Sequence, residues 1–190
     1  MAVMAFTTAF RGGQAFTKQD SVSMQRKLDA ITARAAKSSS KTARPLRTSF
    51  TEREVNAYFK YDGQSVIPPG VVDPQIVIAD NGQLEGQAIV DLDAVRKAQP
   101  SAILDLVAMF GTVEVRAVGR LQTANGQGTF ILDRATVGGL PVPKSLLQTL
   151  VTHYSRNPGL PDGFNLDKPF ELPAAIRAIE MQRGAATIVQ

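Results

Sequence analysis

Few side chains in this 190-residue chain stand at spacings that chemistry would need. There is no cysteine, so disulfides, thiolate nucleophiles and thiolate metal sites are excluded. A single histidine, His153, excludes any centre built from several imidazoles. His153 could act as a general base, but no carboxylate or nucleophile can be assigned to it, and a surface or packing role suits it better. Asp91 and Asp93 alternate on what reads as one strand and, with a third oxygen donor, could hold a hard cation. Such pairs more often keep a strand face soluble. Gly126-x-Gly128 lacks the third glycine and the following helix of a dinucleotide fingerprint, and reads as a turn. No phosphate loop, His-Glu-x-x-His or serine elbow is present. The expectation is a protein that is not an enzyme and uses no metal or cofactor.

The formal net charge is +4, but residues 1–47 hold nine of the 21 Lys/Arg and only two of the 17 Asp/Glu, so the rest of the chain is net acidic. Nucleic-acid binding would use this basic arm, yet no aromatic residue lies between Phe16 and Phe50 to stack a base, and no nucleic-acid partner is expected.

The elements that would position a site are easier to read. Residues 1–10 are apolar but far short of the roughly 20 residues of a membrane span, and no basic residue precedes them as in a signal peptide. Over residues 18–37 Met24, Leu28, Ile31 and Ala35 recur at helical spacing, for docking on a partner or an anionic surface, or for leaning on the protein's own domain. A Ser-rich linker follows, so residues 1–45 read as a basic arm and 46–190 as the domain. There a short strand at 46–50 leads into a helix to about Tyr61. Its start is a capping box, Thr51 with Glu54, and its apolar face is Val55, Tyr58 and Phe59. Residues 71–79 and 83–95 make a hairpin about Asp80-Asn81-Gly82, and residues 112–122 and 128–137 make a second about Ala124-Asn125-Gly126. Between them, residues 100–110 read as a helix with Asp105 as its only charge, which must be covered nearly all round. The second hairpin ends in the corner Gly138-Gly139-Leu140-Pro141-Val142-Pro143. This feeds a helix to about Arg156 with Pro143, Leu146, Leu147, Leu150, Val151 and Tyr154 on one side. A last hairpin turns at Arg183-Gly184. The class is α+β: a long, curved antiparallel sheet with amphipathic helices against its apolar face, preceded by the basic helix.

One pattern in the strands bears on binding. The inward positions Gly86, Ala88, Ala117 and Gly119 are small where a filled core would prefer Val, Ile or Leu. Small residues under a helix either let it approach closely or leave room for a ligand. Walled by Ile76, Ile78, Leu104, Val107, Leu121, Phe130, Leu147 and Leu150, such a floor could hold a lipid tail or another hydrophobic small molecule.

Several stretches together resemble the tubular lipid-binding (TULIP) superfamily, specifically small exported bacterial relatives of the bactericidal/permeability-increasing fold. They are residues 50–58 (FTEREVNAY), 70–74 (GVVDP), 81–86 (NGQLEG), 126–130 (GQGTF), 137–143 (VGGLPVP) and 172–176 (LPAAI), in order over residues 46–190. The resemblance implies a strongly curved sheet wrapped around helices, acyl chains held in the groove between them, and export to the cell envelope or periplasm, with a cytoplasmic protein as the alternative. Residues 1–16 depart from that pattern, having no lipobox cysteine, so no lipid anchor is expected. Two functions follow as expectations. One is non-catalytic binding or transport of a lipid, with the basic arm contacting anionic membrane surfaces. The other is a structural or interaction module whose groove is filled by its own helices.

Overall fold

The computed structural model describes residues 16–37, 45–98, 111–156 and 160–190. Helix α1 (Lys18–Lys37) precedes strand β1 (Arg47–Thr51) and helix α2 (Glu52–Tyr61). Strands β2 (Val71–Ile78) and β3 (Gln83–Asp91) lead into the short helix α3 (Leu92–Ala98). Strands β4 (Thr112–Ala124), β5 (Gln127–Val137) and the two-residue β6 (Leu140–Pro141) then run to helix α4 (Lys144–Tyr154). The chain closes with β7 (Phe170–Glu171), β8 (Ala178–Gln182) and β9 (Ala185–Val189). The α+β class holds, with a long, open antiparallel sheet of six strands in which β2, β3, β4, β5 and β6 are neighbours in that order and β7 pairs with β5.

Local signals set many of these boundaries. The Thr51 hydroxyl accepts from the Glu54 amide at 3.2 Å while the Glu54 carboxylate accepts from the Thr51 amide at 2.9 Å, the reciprocal box that starts α2. Asn81 and Gly82, and Asn125 and Gly126, all have positive φ, as the tight turns of the two hairpins require.

Elsewhere the structure corrects the sequence reading. The strand expected over 83–95 stops at Asp91, because the Asp91 carboxylate accepts from the Ala94 amide at 3.0 Å and begins α3. Asp93 therefore lies on a helix beside Arg96, and the two acids do not share a strand face. The Gly138-Gly139 corner is a hairpin turn, with φ of 57° and 80°, that folds β6 back onto Thr136 and Val137 before α4 begins. Strands β1, β8 and β9, at the two ends of the domain, do not extend the long sheet. They form a second sheet in the order β1-β9-β8. The helix expected at 100–110 lies outside the described residues.

That second sheet carries the main core. Ile31 of α1, Phe50 of β1, Leu172 and Ile176 are buried together, with Met24, Leu28, Val55 and Ile188 packed against them. The apolar stripe of α1 is thus occupied by the protein's own core. Its polar flank meets α2 through ion pairs: Lys27 donates to both oxygens of Glu54 at 2.7 and 2.8 Å, Arg53 to Asp20 at 2.9 Å, and Lys18 pairs with Asp62.

The two sheets join at the hairpin tips. The Thr123 hydroxyl donates to the Ile179 carbonyl at 2.9 Å and accepts from the Ile179 amide at 2.7 Å. The Gly184 amide donates to the Ile78 carbonyl at 2.8 Å. Helix α2 seals the outer edge of β2. The Asn56 side chain bonds both the amide and the carbonyl of Ile76 at 2.8 Å, and Glu52 accepts from the Ile78 amide at 2.8 Å. An edge strand that would otherwise present bare donors and acceptors is satisfied by side chains.

Candidate functional site

Residues directly opposite one another in an antiparallel pair share a face, so the register reports which side chains meet. Ile76 faces Gly86, Gly86 faces Ala117, and Ala117 faces Ala135. Ile78 faces Leu84, Leu84 faces Gly119, and Gly119 faces Leu132. Ala88 faces Val115, and Leu121 faces Phe130. Eight of the twelve residues singled out from sequence, namely Ile76, Ile78, Gly86, Ala88, Ala117, Gly119, Leu121 and Phe130, therefore lie on one apolar face of the long sheet. Leu104 and Val107 lie outside the described residues. Leu147 is half-buried on α4, and Leu150 belongs to the same helix; Leu146, expected on its apolar side, is exposed.

Leu132 and Ala135 belong to this face too, and simple alternation misses Ala135. Counting by two from Phe130 puts Arg134 inward. The register steps from Val118 opposite Arg134 to Gly119 opposite Leu132, so Asp133 is an extra, bulged residue and the alternation restarts. A second irregularity falls between Val72 and Gln75 in β2, where Asp73 has φ of 46°. Both bend the strands that carry the face.

The small residues on this face divide into two kinds. A Cβ on Gly119 would lie 2.5 Å from Cζ of Phe130 and 2.7 Å from the Ile131 carbonyl oxygen, so the Phe130 ring already fills that place. A Cβ on Gly128 would lie 2.7 Å from the Phe170 ring, whose centroid is 5.1 Å from that of Phe164. Around Gly86, by contrast, no described atom comes within 4 Å of where a Cβ would sit. Gly86, Ala88 and Ala117 are all only partly buried. Among the described residues, aromatic rings cover the apolar face toward the hairpin tips, and none comes within contact of a Cβ at Gly86 toward the middle of β3 and β4.

A cavity of about 550 Å³ lies elsewhere, between the end of α2, the loop at 63–70 and the start of β2. Its lining mixes Phe16, Phe59 and Ile67 with Asn56, Lys60 and Asp73, and includes none of the twelve candidates. Among the described residues there is no group of three or more His, Asp or Glu placed to hold a metal, and no helix long and apolar enough to cross a membrane.

The basic arm is partly neutralised within the fold. Besides Lys18 and Lys27, Arg47 pairs with Glu180, and that contact holds the Glu180 carboxyl below its usual range and the Arg47 guanidinium above its own. The Asp20 carboxyl falls to about 2, chiefly because the Thr17 hydroxyl and amide donate to it, with Arg53 adding to the effect. Burial pushes the Glu54 carboxyl up, but bonds from Lys27, Ser23 and the Thr51 amide outweigh it and leave the group lowered. The Asp20 and Glu54 contacts fasten α1 to α2, and the Arg47–Glu180 pair links β1 to β8.

No protein-family model matches the sequence, and no curated protein matches it. Among solved structures, a crystal structure of lipopolysaccharide binding protein is similar at 16% identity and a TM-score of 0.23, over 76% of this chain and 40% of that one. This chain thus spans about two fifths of that protein's length. A TM-score of that size carries no argument about a shared fold or ligand.

Proposed function

We propose that this protein is a non-catalytic binder of a lipid or other hydrophobic ligand, seated on the open part of the apolar face of its long sheet. The observation that supports the reading is the floor at Gly86, Ala88 and Ala117. It is apolar, only partly buried, and at Gly86 has no described atom within contact of a missing side chain. Covering such a floor with methylenes would contribute about 0.8 kcal/mol for each one removed from water. Consistent with the family resemblance of the sequence, we place the protein in the cell envelope after export. There Arg26 and Lys37, exposed on α1, would favour anionic head groups.

Native mass spectrometry of the purified protein and displacement of a fluorescent fatty-acid probe test the binding. Lipid should be recovered and the probe bound, and Gly86→Trp, which places an indole on the open floor, should abolish binding while leaving the fold intact. Repeated recovery of empty protein with no probe binding would overturn the reading. The alternative, a structural module with a self-filled groove, is favoured by the rings of Phe130 and Phe170 lying over Gly119 and Gly128. It predicts that Gly86→Trp changes nothing a binding assay can read.

A further inference from the structure

We infer that Phe130 sets the length of ligand this face accepts; the inference rests on the binding reading above. The ring lies across Gly119, in the row next to Ala117, whereas at Gly86, in Ala117's own row, no described atom comes within 4 Å of a Cβ. Beyond it the rings of Phe170 and Phe164 and the Thr123–Ile179 bonds close the face altogether. A tail lying along the strands from Ala117 toward Val113 on β4, and from Gly86 toward Val90 on β3, has four residue steps, about 14 Å, before the strands end. That is close to the roughly 15 Å that one tail occupies in half of a bilayer core. The Phe130 ring stands between this stretch and the place over Gly119, two residues further along β4. Removing it would lengthen the floor by about 7 Å. Glycine at 119 is what lets the ring lie flat enough to act as an end wall, since any Cβ there would meet it at 2.5 Å.

The test titrates the native protein, Phe130→Ala and Phe130→Leu with saturated fatty acids of increasing length against one fluorescent fatty-acid probe. Affinity should rise about fourfold per added methylene while each new methylene is buried, then level off where the tail meets the ring. In Phe130→Ala the levelling-off should move to longer acids, with Phe130→Leu between the two. Circular dichroism checks the fold, and if the alanine variant does not fold, the leucine variant carries the comparison. If folded variants level off at the same length as the native protein, Phe130 is not the stop, and the inference falls while the binding reading stands. If the native protein releases no probe at any length, the binding reading fails and takes the inference with it.

Discussion

Gly119 and Gly86, both on the apolar face, make opposite predictions for the same substitution. Gly119→Ala puts a methyl 2.5 Å from Phe130 Cζ and 2.7 Å from the Ile131 carbonyl oxygen. The ring can turn away, but the carbonyl belongs to the paired strand and cannot move without breaking the register. Overpacking of this kind costs about 1–3 kcal/mol. The stiffer unfolded chain returns about 0.5–1 kcal/mol of that, leaving a net loss of about 1–2 kcal/mol. Gly86→Ala meets no described atom within 4 Å and no positive φ, so only the favourable part remains and the variant should gain about 0.5–1 kcal/mol. The two variants should therefore differ by about 2 kcal/mol in urea-induced unfolding, with opposite signs relative to the native protein. In a chain of this size that separates their melting temperatures by roughly 4–8 °C. If both substitutions destabilise equally, the face is packed as tightly at Gly86 as at Gly119. The division into an open and a closed end would then be wrong.

Asn56→Ala removes both bonds to the Ile76 backbone and should cost about 2 kcal/mol, the lower end for two orphaned groups because the adjoining cavity admits water; faster amide exchange at Ile76 would accompany it. Thr51→Ala breaks half of the capping box of α2 and should cost about 1 kcal/mol in chemical denaturation, with no change in probe binding at the distant face. The acid response follows from Asp20, whose carboxyl falls from 3.8 to about 2 on folding. A group lowered on folding stabilises above its unfolded value and loses that contribution as pH falls through the folded one. Stability measured in urea should therefore decline between about pH 4 and 2, and Asp20→Asn should flatten that decline. An unchanged slope in the variant would mean that the Asp20 contacts with Thr17 and Arg53 do not form in solution.

The sequence alone determined the features that a few neighbouring residues decide. The Thr51–Glu54 box, the Asn-Gly turns, the alternation of β3 and β4 and the stripe of α1 were legible because each is a local preference of backbone or side chain. The α+β class and the composition of the apolar floor followed from them. Where two local readings competed, only the structure chose. Asp91 can continue a strand or cap a helix, and it caps α3. Tertiary structure alone decided the rest. It gathered β1, β8 and β9 into their own sheet beneath α1, and it bulged β5 at Asp133 so that Ala135 faces inward. It also laid Phe130 over Gly119 and brought no described atom within 4 Å of a Cβ at Gly86. Small residues look alike in sequence because their type records only that no side chain stands there. What occupies the space depends on residues brought from other strands, and that placement is a property of the packed chain.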